Sequence, residues 1–462
     1  MSRFVRISTV ILSLLIVVIT GCAQVPKEAG FGDVQKLVHQ RIDYRLHWNQ
    51  GSTADEQVAR AIDELLKQEL SVDAAVQIAL LNNQNLQATY EDLGITQADV
   101  VEAGLLENPV FFGQARFPDK SPSMTNLEFE VTQNFLNILM LPSRKKLAAM
   151  QFEEVKLRVA DEVLKLAAEV RAAYYRAIGG SQIEQMRRHI AEAGEASYEM
   201  ARRMHTAGNT SDLNLVGEQG HYEQARMDYA QSTTLVVEFR EQLIRLMGLW
   251  GAQAELKLAH QLPDVPAREI TIDHLESLAI KNRLDLASAR QEVEVLAQAL
   301  GITLDWRWIG KADVGISTER DPDGQWVTGP SLTLELPIFN QRQADIARLE
   351  AQLRQGQKRL AAQAVNIRSE VRSLRSRLMM QRHLAEHYKK VIIPLRERIV
   401  HLTLQEYNYM LTGVFDLLIA RQNEFDTYQK YVETVRDYWI TRAQIQRVVG
   451  GRLPPIDQMD KE

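Results

Sequence analysis

The sequence contains a single cysteine, Cys22, in 462 residues, so no disulfide can form within the chain. It has no basic excess either: the formal charge is −6, which removes the usual electrostatic reason to bind nucleic acid. No nucleotide-binding glycine loop, no Ser/His/Asp set in motif context and no metal cluster is present, so a conventional enzyme is not expected. Long apolar runs are missing as well. The longest useful one, Ile7 to Ile19, is about 13 residues, too short to cross a bilayer as a helix. Glycine and proline are absent from Ser143 to Ile178, as a long uninterrupted helix requires. What remains is a chain that is 45% hydrophobic and 25% charged, ordinary for a folded protein.

The apolar run follows Arg3 and Arg6 and ends in "ITGC", which reads as a signal peptide over 1–21. Cys22 resembles the lipid-attachment cysteine of bacterial lipoproteins, with Ile19 where that pattern prefers Leu. Cleavage before Cys22 would take the formal charge from −6 to −8. The resemblance implies an exported, acyl-anchored protein with lipid attachment at Cys22. Ala23, rather than Asp, follows the cysteine and favours the outer membrane.

An internal duplication with a period near 200 residues comes next. "SVDAAVQIALLNNQNL" (Ser71–Leu86) matches "TIDHLESLAIKNRLDL" (Thr271–Leu286), aligning Asp73 with Asp273, Ala79 with Ala279 and Asn82 with Asn282. "LEFEVTQNF" from Leu127 matches "LTLELPIFN" from Leu332, and "EVR" recurs at Glu169 and Glu370. Gly208 falls in step with Gly413, and Asp212 with Asp416. Ordered matches at nearly one offset indicate two large structural repeats rather than a solenoid.

Each repeat has the same plan. Amphipathic helices (roughly Val72–Leu106 and Ile272–Leu304) lead into a β-hairpin, about 109–136 in the first repeat and 311–339 in the second. Leu127, Phe129 and Val131 alternate with Glu128, Glu130 and Thr132; Ala312, Val314, Ile316 and Thr318 alternate with Asp313, Gly315, Ser317 and Glu319. After "DPDG", Leu332, Leu334, Leu336 and Ile338 alternate with Thr333, Glu335 and Pro337. This period of two predicts strands with one apolar and one polar face.

Long helical hairpins follow. Ile183, Met186, Ile190, Ala193, Ser197, Met200 and Met204 step by three and four as a heptad seam, and the seam resumes at Tyr222, Ala225, Tyr229, Ser232, Val236, Phe239, Leu243 and Leu246. Ile346, Leu349, Leu353, Ile367, Val371, Leu374 and Leu378 do the same in the second repeat. Pro142 to Thr206 is about 65 residues, on the order of 97 Å as one helix, which predicts coiled coils. "AGNTSDLN" and "TGVFDLL" are then the tips, about 206–213 and 411–417, with Gly208 and Gly413 as left-handed turn residues and Asp212 and Asp416 capping the returning helices. The expected organisation is a lipidated segment over 22–70, repeats over 71–250 and 271–450, a linker at 251–270 and a flexible tail at 451–462, which includes Pro454–Glu462.

Four strands with one apolar face cannot close a barrel alone. Three chains would supply twelve, with lipid outside and Glu128, Glu130, Asp313 and Glu335 facing a wet lumen. Phe111, Phe112, Phe117, Phe135, Trp306, Trp308, Trp326 and Phe339 would form an aromatic belt.

Signal peptide, lipobox, two repeats of helices, hairpin and helical hairpin, "LELPIFN" and the tip "G-x-x-D-L-L" together resemble the TolC-like outer-membrane factor family, over about residues 55 to 450. The resemblance implies a mainly α protein with a small membrane β-barrel, assembled as a homotrimeric tube. It implies an outer-membrane channel for small toxic solutes, drugs or metal ions, partnered by a periplasmic adaptor and an inner-membrane pump of the RND type, with no cofactor. The general look of the chain is closer to the heavy-metal branch. It also implies that Asp416 lines the periplasmic gate and that Gly208, Asp212 and Gly413 belong to the adaptor-docking tip. Some members carry a second acidic ring three residues on, where this chain has Ile419; its gate is then expected to be less cation-selective.

Other readings carry less. A protein-secretion channel, a lipid-anchored scaffold or adhesin without a pore, and a periplasmic adaptor are alternatives, but paired amphipathic strands do not serve a scaffold and an adaptor has one helical hairpin, not two. "HLAEH" (His383–His387) fits H-x-x-E-H, yet in the middle of a coiled-coil helix it reads as a solvated face rather than a protease site. Met186, Met200 and Met204, near His189 and His205, read as core packing rather than a metal relay.

Overall fold

The computed structural model describes residues 30–117, 124–266 and 274–451, together with 25, 26, 28 and 119. Cys22, the segment 1–21, Thr271–Asp273 and the tail from 452, including Pro454–Glu462, lie outside the described residues. The chain is mainly helical. In order, its elements are α1 (Phe31–His39), α2 (Thr53–Lys67), α3 (Val72–Asn82), α4 (Gln84–Ala103), β1 (Val110–Arg116), β2 (Asn126–Asn134), α5 (Phe135–Thr206) and α6 (Asp212–Met247). Then follow α7 (Leu275–Asn282), α8 (Leu284–Asp305), β3 (Ala312–Arg320), β4 (Trp326–Leu334), α9 (Gln343–His387), a π-helical turn (Tyr388–Ile392), α10 (Ile393–Asn408) and α11 (Val414–Val448). Contacts divide it into two compact units, one from the described parts of 1–34, 91–159 and 285–362, the other from 35–90, 160–284 and 363–462.

The first unit holds the sheet. All four strands pair antiparallel in the order β1-β2-β3-β4, so the two hairpins, almost 200 residues apart in sequence, join through β2 and β3. β1 and β4 keep one open edge each. Pro330 sits on β4, an edge strand where a missing N–H is tolerated. The alternation Leu332, Leu334, Leu336, Ile338 predicted a longer strand, but β4 ends at Leu334; Pro337 cannot donate to a ladder, and Glu335 N makes the last such bond, to Lys311 O at 2.8 Å. In the same unit Ser288 Oγ donates to Glu154 (2.7 Å) and Gln291 Nε2 to the Met150 carbonyl (3.2 Å), tying α8 to α5.

α5 begins earlier than the proline suggested. The Asn134 carboxamide oxygen accepts from Asn137 N at 3.1 Å, nucleating the helix at Phe135 and carrying Pro142 inside it. Each predicted leading helix is in fact two. Asn83 ends α3 with an extended backbone (ψ 115°), and its side-chain oxygen accepts from Leu86 N at 2.9 Å, capping α4; Arg283 makes the equivalent break (ψ 126°) before α8.

The second unit contains the main buried core: Val76, Ile78, Leu80, Tyr90, Val163, Val170, Ile178, Leu243, Met247, Leu284, Ile367, Val371, Leu378 and Tyr438. Tyr174 Oη donates to the Leu70 carbonyl at 2.8 Å, and burial pushes its phenol up to about 12. Gly179 and Gly180 do not interrupt α5. A Cβ on Gly179 would lie 2.9 Å from Arg436 Cγ, and one on Gly180 2.7 Å from Phe239 Cδ2, so the pair lets α5 approach α11 and α6 closely. The seam on α6 is covered throughout, as is the Ile367–Leu378 stretch of α9. On α5 it departs from the heptad reading beyond Ile190: Ala193 and Met200 are exposed, and the covered line runs Ile190, Gly194, Ser197, Ala201. Gly194, whose Cβ would stand 3.4 Å from Tyr222 Cα, draws that phase inward. Met200 is therefore not a core residue within the chain.

Candidate functional site

The sheet has two chemically distinct faces. Phe111, Leu127, Phe129, Val131, Val314, Ile316, Pro330, Leu332 and Trp326 share one, by the strand registers Phe111↔Val131↔Ile316↔Pro330 and Leu127↔Arg320↔Trp326. Phe111 and Phe129 stack at 6.2 Å, yet Phe111 is 67% exposed and Ile316 65%. A β-face this apolar, left open within one chain, needs cover from lipid or protein. Glu128, Glu130 and Asp313 come together on the opposite face. Glu128 pairs with Arg116 (2.7 Å), and Glu130 accepts from Ser331 Oγ (2.5 Å). Sequence reasoning missed Arg116 on this polar surface and left Glu319 out of the acidic lumen set; Glu319 lies opposite Glu128 and accepts from Asn126 Nδ2 at 2.7 Å. Glu319 stood in the same alternation as Asp313, so the signal was present. Glu335 falls just past the end of β4, where its carboxylate accepts from Lys311 N at 3.1 Å. Of the aromatic group, Phe111, Phe117, Phe135, Trp308, Trp326 and Phe339 are exposed, Trp306 is half-buried, and Phe112 faces the polar side, opposite Glu130.

The two helical-hairpin tips belong to the second unit and are built differently from each other. At the first, Gly208 is left-handed (φ 74°), Gly208 N donates to His205 O (2.9 Å) and Asn209 N to Met204 O (2.8 Å), a Schellman-type closure. The cap of α6 is Ser211, whose hydroxyl accepts from Asn214 N at 3.3 Å; Asp212, expected as the cap, instead meets His205 Nε2 at 2.5 Å across the turn.

At the second tip the left-handed residue is Met410 (φ 57°), not Gly413. Met410 N donates to Tyr407 O (2.9 Å) and Leu411 N to Glu406 O (2.9 Å), the same closure without a glycine. Gly413 has an ordinary φ of −83° and is the N-cap of α11. Having no side chain, it cannot cap; Asp416, in the third helical position, reaches back to accept from Gly413 N (3.1 Å) and Thr412 Oγ1 (2.8 Å). Asp416 thus supplies the capping carboxylate at the positive helix end while staying exposed. Gly208 corresponds structurally to Met410, and Ser211 to Gly413, so matching the tips by their glycines misaligned their roles. Ile419 is exposed one turn further along α11.

His383 and His387 lie on an exposed face of α9, and Glu386 is engaged by Lys390 (3.4 Å) and Arg382 (3.8 Å), which does not build a protease site. Among the described residues no helix is long and apolar enough to cross a membrane, and no group of three or more His, Cys, Asp or Glu could hold a metal ion.

No family model matches the chain. It is 20% identical over 393 residues, 82% of this chain and 90% of the relative, to the cobalt-zinc-cadmium resistance protein CzcC of Cupriavidus metallidurans. The CmeC outer membrane channel of Campylobacter jejuni matches in structure with a TM-score of 0.71 at 12% identity, covering 90% of this chain and 91% of that one. The MtrE outer membrane channel of Neisseria gonorrhoeae, in its open state, matches with a TM-score of 0.65 at 14% identity, over 82% and 89%. The resemblance inferred from the sequence therefore holds at the level of the fold: over 82–90% of its length the chain has the fold of the TolC-like outer-membrane channels.

Proposed function

We propose that the protein is the outer-membrane channel of a tripartite efflux system. The observation that carries this reading is the sheet: four antiparallel strands, exposed and apolar on one face, acidic and hydrogen-bonded on the other, with an open edge at β1 and at β4. Open edges and an uncovered apolar face are both costly, and both are resolved if β1 of one chain pairs with β4 of the next. A homotrimer closes twelve strands into a barrel with its apolar face in lipid and Glu128, Glu130 and Asp313 in the lumen, Glu335 at its rim. The acyl chains on Cys22 anchor each chain to the outer membrane.

The helical hairpins form the periplasmic conduit. Asp416 rings its entrance, and the Gly208–Asp212 and Gly413 tips meet a periplasmic adaptor that links the channel to an inner-membrane pump, of the RND type. Metal ions are the favoured cargo, by analogy with the resistance protein CzcC.

The test is single-channel conductance of the purified protein in planar bilayers, wild type beside Asp416→Ala. Ion conductance, with altered cation selectivity in the variant, supports the conduit and its gate. A pore indifferent to the substitution removes Asp416 from the constriction. A monomeric protein without conductance defeats the channel reading and favours a scaffold.

A further inference from the structure

The stretch "MMQRHLAEH" (Met379–His387) carries a second feature that the channel reading does not use. On a helix with 3.6 residues per turn, Met379, His383 and His387 stand four residues apart and form one ridge. Its opposite side is the buried one, where Leu378 and Ala385 are 0% and 2% exposed. Met379 is 43% exposed, and both histidines are exposed. The imidazole rings lie nearly parallel (16°) with centroids 6.5 Å apart. Neither imidazole has a hydrogen-bond or ion-pair partner among the described residues.

Several neighbouring cations are engaged elsewhere. Lys389 is paired with Asp264 at 2.8 Å, Lys390 with Glu386 at 3.4 Å, and Arg382 donates to the Pro266 carbonyl at 3.3 Å. Helical spacing of four brings two imidazole nitrogens within reach of one ion by rotamer change alone, without moving backbone. Two imidazoles at this spacing suit nickel- and copper-class ions over hard cations. Directly after His387 the helix passes into the π-helical turn Tyr388–Ile392, closed by Ile393 N on the Tyr388 carbonyl. The ridge therefore ends at a change of helical register, and such π-turns recur at functional positions.

We propose that His383 and His387 form a surface binding site for a transition-metal ion of the nickel–copper class, with one imidazole nitrogen from each as ligand. The site does not depend on the channel reading, since it needs only this helix face.

The experiment uses the full-length protein purified in detergent, titrated separately with Ag⁺, a redox-inert stand-in for monovalent copper, and with Ni²⁺. Wild type is expected to bind one ion per chain that the double variant His383→Gln/His387→Gln does not, for either metal. Met379→Leu, two turns before His387, is expected to leave both affinities unchanged. Helix content by circular dichroism identifies any variant that has not folded. In the wild-type protein, protection of His383 and His387 from diethyl pyrocarbonate by Ag⁺ reads the same site without substitution. Unaltered stoichiometry and affinity in the double variant, or unprotected histidines in the wild type, overturn the site.

Discussion

Asn82 donates its side-chain amide to the carbonyls of Met247 (3.1 Å) and Gly248 (2.8 Å), and Gly248 lies so near that a Cβ on it would be 2.6 Å from the Asn82 carbonyl oxygen. Asn282 makes the same close approach to Gly450, whose Cβ would meet the Asn282 backbone at 2.8 Å. Both glycines are left-handed, at φ 68° and 81°. In each repeat the short leading helix thus ends against the glycine that terminates the long returning helix.

The two asparagines should nonetheless respond differently. Asn82→Ala strands two carbonyls and should cost about 1–3 kcal/mol, read as a lower denaturation midpoint. Asn282 makes no such side-chain bond among the described residues, and Asn282→Ala should be milder. Gly248→Ala and Gly450→Ala should both be severe, because a left-handed backbone and a carbonyl clash act together. Equal losses for the two asparagine variants would mean that the amide bonds of Asn82 carry no weight.

Met410 holds a left-handed backbone without being glycine, at a strain of about 1 kcal/mol. Met410→Gly should therefore stabilise the second tip by about that amount, measured as slower hydrogen exchange at Leu411 N. Gly413→Ala should be tolerated, since its φ is −83° and the nearest atom to an added Cβ is Asp416 Oδ2 at 3.5 Å. The opposite ranking would restore Gly413 as the turn residue.

Gly180→Val places two methyl groups where a Cβ alone already meets the Phe239 ring at 2.7 Å. Overpacking of that kind costs about 1–3 kcal/mol, and the same change combined with Phe239→Ala should recover part of the loss. Thermal unfolding of the two variants side by side decides this.

Tyr428 donates to Glu397 at 2.5 Å, joining α11 to α10, and that hydrogen bond pushes the phenol up to about 12. A folded pKa raised above the unfolded value near 10 gives stability that is complete below pH 10 and lost as pH rises toward 12. The pair is solvent-screened, so the contribution is about 0.5 kcal/mol. Tyr428→Phe should lower stability at pH 8 and flatten its decline between pH 10 and 12. A wild-type slope in the variant would assign the alkaline loss to other tyrosines.

Much of this molecule was legible before any tertiary contact. Period-two alternation placed Glu128, Glu130 and Asp313 on one face because a pleated strand permits no other arrangement. The steps of three and four from Tyr222 to Leu246 mark a line that is covered throughout, and the 200-residue duplication exposed the equivalence of Asn82 and Asn282. These signals are local, or they repeat.

What tertiary structure decided is of another kind. β2 pairs with β3 across repeats, a contact that no local pattern specifies. Gly179 and Gly180 could have been a helix break; they are a close approach, because Arg436 and Phe239 occupy the space a side chain would take. The tips share glycine and aspartate in sequence but not in role, since a helix C-terminus needs one left-handed residue and the closure of Leu411 N on Glu406 O gives that conformation to Met410. Sequence determined which faces and seams exist, through the periods of strand and helix. Tertiary structure chose their partners, because side-chain volume and backbone approach act only between segments already brought together.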